Sequence, residues 1–287
     1  REMGSTVLHS HRFPRDWLLW ISLTLLAALA LLALAAPLLA PHDPFRQSLL
    51  LRLKPPGSAA NGALFLLGSD ELGRDVLSRI LHGLRMSLIV AIASSTLAAL
   101  LGNILGMLAG WRQGWLDGLV MRAADAMLAI PTLVLAVFVL AIVGPGLASM
   151  IGILTLARWP RHARLARSET VHLSGKPFVM AARLSGASPL RLIVRHILPN
   201  AAAPLIVLFA SELSLMVLFE AALTFLGMGI QPPEAAIGAM LSAGRSYIER
   251  AWWLVVFPGA VLFVLTLSLN LLADRLRRWL DPAMAQR

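Results

Sequence analysis

The sequence predicts an all-α membrane protein with about six transmembrane helices, and three observations carry that prediction. Its 287 residues are 58% hydrophobic and only 14% charged, with mean hydropathy +0.76, too apolar for an ordinary soluble core. Several runs reach the roughly 20 apolar residues needed to cross a hydrocarbon core about 30 Å thick. Basic segments alternate with those runs, so the pI near 11.6 reflects cations between spans. They form no single tail or patch and accompany no groove-reading module, which excludes nucleic acid as a partner. The absence of cysteine excludes disulfides and thiolate metal sites.

The elements follow in order. Residues 1–16 are a basic tail, and the first span covers 17–40, from Trp17 to Ala40. It follows Arg12 and Arg15 as a signal peptide would, but its apolar length fits a retained span. Pro41-His42-Asp43-Pro44 stops that helix. In the segment 41–84, Ser69 or Asp70 is placed to cap a helix carrying Leu77, Leu81, Leu84 and Leu88 on one face. Asp70 with Arg74, and Asp75 with Arg79, are spaced to pair on its wet face, as in a helix lying at the membrane interface.

Residues 85–275 hold five further spans: Met86 to Ala109, Leu119 to Val143, Leu147 to Leu165, Ala201 to Leu226 and Trp252 to Leu272. Gly144-Pro145-Gly146 is a tight turn, and Trp252 and Trp253 open the last span as interfacial anchors. Residues 276–287 are a C-terminal tail. Placing the N-terminus in the cytoplasm puts most of the 25 Lys and Arg there: Arg1, Arg12, Arg15, Arg112, Arg122, those from Arg158 to Arg195, and Arg275, Arg277, Arg278 and Arg287. The positive-inside rule therefore predicts both termini inside and the segment after Pro41 outside.

No catalytic constellation is present. Gly175-Lys176 resembles the end of a phosphate loop, but Pro177 replaces the required Ser/Thr and Thr170 stands where the earlier glycine belongs. This chain is therefore not expected to bind ATP. His9, His11, His42, His82, His162, His172 and His196 are scattered, and no metal site is expected from them. Glu212 and Glu220 fall inside the fifth span, where a carboxylate costs about 2.5–3.5 kcal/mol at the membrane centre. Together with Met216 they are candidates to line a translocation path. A hydrogen bond to a neighbouring helix explains the acids equally well, and is the favoured reading for Glu220.

Between the fourth and fifth spans lies a polar island, Val179 to Ser188, closed by His196-Ile197-Leu198-Pro199-Asn200. Leu190, Ile193, Val194 and Ile197 recur at helical spacing, and Gly186 with Pro189 interrupts them, so helices joined at a glycine-permitted bend are expected. Its cations would bind anionic headgroups at about 1 kcal/mol each. The small residues Ala181, Ala182 and Ser185 favour close approach by a protein instead.

These residues resemble the permease subunits of bacterial ATP-binding-cassette importers, specifically the second, or C-type, permease of the dipeptide/oligopeptide/nickel group. Ala181-Ala182, Gly186 and Leu198-Pro199 match that superfamily's loop signature, with Met180 in place of its Glu and His196 in place of its Ile. Arg195 to Asn200 is similar to the subgroup's own ending. Leu67 to Arg79, Glu220 to Gly229, Pro258-Gly259, Asn270, Asp274 and Asp281-Pro282 extend the likeness from about Ala40 onward. Ile237 stands where a tryptophan is common, Ala273 for glycine and Arg278 for aspartate.

The resemblance implies a type I importer permease fold in the bacterial inner membrane, multi-pass and surrounded by lipid. A second homologous permease would complete the path, and an extracytoplasmic substrate-binding protein would deliver peptides, nickel or metallophore complexes. Loop 166–199 would be the coupling loop, with Ala181, Ala182, Arg183, Ser185, Gly186, Ala187, Leu198 and Pro199 facing two cytoplasmic ATPase subunits that hold ATP and Mg. The alternative, an ion-coupled secondary transporter using Glu212 and Glu220, requires an inverted repeat that the hydropathy pattern lacks.

Overall fold

A computed structural model describes residues 17–60 and 63–280; the tails at 1–16 and 281–287 lie outside the described residues. α1 (Trp17–Leu34) and the single turn α2 (Ala36–Leu39) occupy the first predicted span. Pro37 sits in the first turn of α2, where a missing N–H is tolerated, and the two pieces break at Ala35. An irregular segment follows with a two-stranded antiparallel hairpin, β1 (Ser58–Ala60) and β2 (Ala63–Phe65), in which Ser58 faces Phe65.

The expected interfacial helix is absent as a separate element. Its apolar residues belong to the opening turns of α3 (Val76–Arg112), a continuous helix of 37 residues and about 55 Å. The cap is Asp75, neither Ser69 nor Asp70: its carboxylate accepts from Ser78 N at 2.8 Å and Ser78 Oγ at 2.6 Å. That role takes Asp75 away from Arg79, whose nearest acid is Asp70 at 3.5 Å. Asp70 does pair with Arg74, at 2.6 Å, and also accepts from Leu72 N and Arg74 N at 2.9 Å.

The third predicted span is broken. α4 (Gly114–Ala129) and α5 (Thr132–Val143) meet at 91°, because Pro131 forces Ile130 into an extended conformation that no helix continues through. α6 (Leu147–Ser174) contains the fourth predicted span and runs on past Leu165, ending just before the polar island. There α7 (Pro177–Leu184) and the single turn α8 (Pro189–Leu192) lead through a widened turn at Ile193–Ile197 into α9 (Leu198–Phe225). A short helix, α10 (Ile237–Gly244), precedes α11 (Trp253–Leu280). Among the described residues four helical runs are apolar and long enough to span: α1, α3, Pro189–Phe225 and α11. The bent α4–α5 pair makes five. α6 is long enough too, but its arginines keep it out of that set.

Trp253 is buried rather than lipid-facing, and donates from Nε1 to Ser69 O at 3.2 Å, while Trp252 is half exposed. Arg52 adds a bond to Tyr247 Oη at 3.1 Å, so the segment after α2 is fastened onto the start of α11. In the bundle, α3 lies closest to α6. Gly102, Gly106 and Gly110 form a stripe at four-residue spacing on α3, and a Cβ on Gly106 would stand 2.2 Å from Ala163 O of α6. Only glycine permits that backbone approach, as at close membrane helix crossings. The main core joins Leu84, Leu140, Met150, Leu154, Met216 and Leu265 from five helices, α3, α5, α6, α9 and α11.

Gly106→Ala should therefore force α3 off α6 and cost about 1–3 kcal/mol, read as a lower midpoint in thermal unfolding of the purified protein. Gly118→Ala, on α4 where a Cβ meets nothing within 4 Å, should leave the midpoint unchanged or raise it.

Candidate functional site

The loop joining α6 to α9 is built in two turns of different kinds. Lys176 is extended and Pro177 starts α7 without wasting a hydrogen bond. α7 ends in a Schellman arrangement: Gly186 N donates to Arg183 O at 3.0 Å and Ala187 N to Ala182 O at 3.2 Å. That closure puts Gly186 at φ +82°, the left-handed region. Ser188 then caps α8 by accepting from Arg191 N at 3.4 Å. The wide turn at Ile193–Ile197, with Leu198 N donating to Ile193 O, absorbs the lost N–H of Pro199. Asn200 Nδ2 satisfies His196 O at 2.7 Å.

One face of α7 is anchored. Val179 is fully buried against Leu192, Ile193, Ile197, Leu173 and Met107, with Ala182 packed beside them. Arg183 folds over the Trp111 ring at 4.8 Å. The opposite face is bare: Phe178, Met180 and Leu184 are exposed, Leu184 at 89%, and Leu190 on α8 continues the patch. Of the predicted coupling residues, Ala181, Ser185 and Gly186 stand on the outer side, Ala182 and Ala187 turn partly inward, and Leu198 and Pro199 begin α9 instead. Met180 and Leu184 were not singled out as contact residues. Their exposure follows from the hundred-degree step around the helix once Val179 points inward.

The second part is a charge cluster inside the bundle. Glu212 of α9 is 1% exposed and takes a two-pronged bond from Arg158 of α6, Nε to Oε2 and Nη2 to Oε1, both 2.7 Å. Arg161, one turn along α6, reaches Glu212 Oε1 at 3.5 Å. Arg158 also lies over the Phe219 ring at 5.4 Å. Further along α6, Arg164 pairs with Asp125 and Arg167 pairs with Asp117 at 2.5 Å, both acids on α4. Glu220 accepts from Ser87 Oγ of α3 at 2.6 Å and from Thr224 Oγ1 at 3.0 Å.

Glu212, Glu220 and Met216 are all buried within this subunit, and both acids bond to neighbouring helices. Those partners remove the motive for an ion-coupled mechanism. The arginines were counted at the sequence level only as loop charge. Their signal was available: Arg158, Arg161, Arg164 and Arg167 recur every three residues inside and just beyond a predicted span. No group of three or more His, Cys, Asp or Glu comes together among the described residues.

A bundle of long apolar helices with a docked loop helix and an internal ion-pair cluster has the build of a membrane-embedded protein, and no catalytic group is assembled among the described residues. Residues 102–286 match the family described as binding-protein-dependent transport system inner membrane component, and the chain belongs to that family. Residues 8–56 match the N-terminal transmembrane domain of oligopeptide transport permease C.

The chain is 43% identical over 253 residues to the di/tripeptide transport system permease protein DppC of Pseudomonas aeruginosa, covering 88% of this chain and 84% of that one. It is 40% identical over 277 residues to the dipeptide transport system permease protein DppC of Escherichia coli K12, covering 96% and 92%. The inward-facing MetNI methionine ABC transporter shares the fold at a TM-score of 0.56 and 20% identity, over 70% of this chain and 96% of that chain. The fold is accordingly that of a type I ABC importer permease, and the chain is a transport subunit rather than an enzyme.

Arg158→Met would remove both short bonds and leave Glu212 only the 3.5 Å contact with half-exposed Arg161, and should cost up to about 3–5 kcal/mol in thermal unfolding. Adding Glu212→Leu should recover most of the loss, because the paired charges are then replaced together.

Proposed function

We propose that this chain is one of two homologous permease subunits in an ATP-driven importer of short peptides. The names of its relatives support peptides over the nickel and metallophore cargoes raised by the sequence. In this reading both termini and the α7 loop face the cytoplasm, where two ATPase subunits hold ATP and Mg, and this chain binds no cofactor. An extracytoplasmic substrate-binding protein delivers peptide to the opposite face.

The observation that carries the proposal is the asymmetry of α7. Its inner face is locked to α6 and α9 through Val179, and its outer face offers Met180, Leu184 and the small Ala181 to a partner. A helix held that firmly moves with the bundle, so a push on its outer face is transmitted to α6 and α9. ATP-driven closure of the ATPases then biases a two-state bundle, and the coupling is the difference in their contacts between states.

Reconstitution of the chain with its permease, ATPase and binding-protein partners tests this reading. Leu184→Asp should lower peptide uptake at least tenfold while the ATPases keep hydrolysing ATP, since the contact is lost and the bundle is not. Gly186→Glu should abolish uptake, because a left-handed backbone disfavours any side chain by roughly 1–2 kcal/mol and the bulk falls on the docking surface. Normal uptake by both variants would overturn the coupling role.

A further inference from the structure

The charge network before α3 leaves one member out. Asp70 Oδ2 accepts from Arg74 Nε at 2.6 Å, its Oδ1 accepts from Leu72 N and Arg74 N at 2.9 Å, and Glu71 Oε1 accepts from Arg74 Nη2 at 3.0 Å. Arg79, in the first turn of α3, finds those acceptors taken. Its side chain is 6% exposed, its Nε stands 3.5 Å from Asp70 Oδ2 without forming a hydrogen bond, and its Nη1 has no acceptor among the described residues. A guanidinium cannot shed its charge on burial, so donors left unmatched carry the full cost of lost hydration. An acceptor belongs beside Arg79.

Arg79 lines a cavity of about 130 Å³. At ~30 Å³ per water that is room for about four waters, or for one carboxylate group. Met240 and Ala243 of α10 form another wall, and Glu234, in the loop between α9 and α10, lines it too. Of the three carboxylates around the cavity, Asp70 and Glu71 are committed to Arg74. Glu234 is exposed and makes no hydrogen bond or ion pair among the described residues. Its neighbours hold the backbone still: Pro232 and Pro233 fix their own φ, and Ala235 and Ala236 are fully buried. The side chain is the part left free to move. An anion from outside would share the cavity with Glu234, a like charge, whereas Glu234 itself meets no such opposition.

We propose that this cavity is a carboxylate-binding site, that Arg79 is its receptor, and that the Glu234 side chain turns in to fill it. The bond fastens the loop after α9 to the first turn of α3 and closes the cavity to solvent. It is a latch at the end of α9 remote from α7, and α10 cannot part from α3 without breaking it. The assignment is independent of which cargo the transporter carries.

The chain's lack of cysteine lets a single thiol report on the cavity in the assembled transporter in lipid nanodiscs. Ala243→Cys places that thiol in the cavity wall, and labelling is read on this chain by mass, with the native chain as control. The readout is the rate of a bulky neutral methanethiosulfonate relative to a small neutral one, a ratio in which changes of thiol acidity cancel. Glu234→Ala should raise that ratio about tenfold, and Glu234→Lys, which keeps the bulk and reverses the charge, should match it. Arg79→Gln should raise it equally, with no further gain from Glu234→Ala in that background. The Glu234 variants alter an exposed loop side chain, so they read the site even where Arg79→Gln fails to assemble.

A Glu234→Ala transporter that labels like its parent would mean that water alone fills the cavity, and overturns the proposal. Exclusion that persists in Glu234→Lys, or a tenfold gain from Glu234→Ala that is undiminished in Arg79→Gln, would make Glu234 a steric cover with no bond to Arg79, and overturns it as well. If saturating acetate or dipeptide slows the bulky reagent with Glu234 intact, and Arg79→Gln abolishes that protection, the carboxylate comes from outside and the assignment to Glu234 fails.

Discussion

The organisation of this subunit depends on the bond between Arg158 and Glu212. Two helices far apart in sequence are clamped by a buried charge pair that neither could carry alone, because an unpaired buried charge costs several kcal/mol. Once α6 and α9 are joined, the loop between them has its two ends fixed, and α7 has little freedom except to follow. Glu220 repeats the logic in neutral form: Ser87 and Thr224 satisfy it, tying α9 to α3. Polar contacts inside the bundle therefore specify which helices touch, while the apolar surface supplies the bulk of the packing.

The close glycine-lined crossing of α3 on α6 complements this clamp. Its backbone approach adds dispersion contacts where lipid offers no hydrophobic gain from helix association. α6 is then gripped on one side by α3 and on another by α9, and it continues directly into the loop that carries α7. The irregular segment before α3 is a different kind of solid. Asp70, Arg74, Ser69 and Trp253 bind it through backbone and side-chain bonds, so the end of the bundle remote from α7 is fastened as well.

Much of this was legible in the chain. α1, α3, α9 and α11 were visible as long apolar runs, and the end of α7 was visible as Gly186, since a tight helix stop asks for that residue. Four features were not. Asp75 and Arg79 have the spacing of an ion pair, but a helix start has unsatisfied N–H groups, and capping them took precedence. Pro131 was in plain view, yet the run from Leu119 to Val143 is apolar on both sides of it, and apolarity carries no information on direction. The partners of Glu212 lie about fifty residues away on another helix, beyond any local periodicity. The exposed face of α7 needed the position of Val179, which is set by tertiary packing.

The sharp bend at Pro131 has a consequence for the membrane itself. α5, with 12 residues, covers about 18 Å along its axis, and α4, with 16, about 24 Å. Neither alone matches a core about 30 Å thick, and at 91° their lengths do not add along one line. Where lipid meets this pair as a broken span, the mismatch is taken up by a thinner bilayer or tilted acyl chains, at a cost of fractions of a kcal/mol per Å. Lipid chain length thereby becomes a variable that acts on this subunit through one proline.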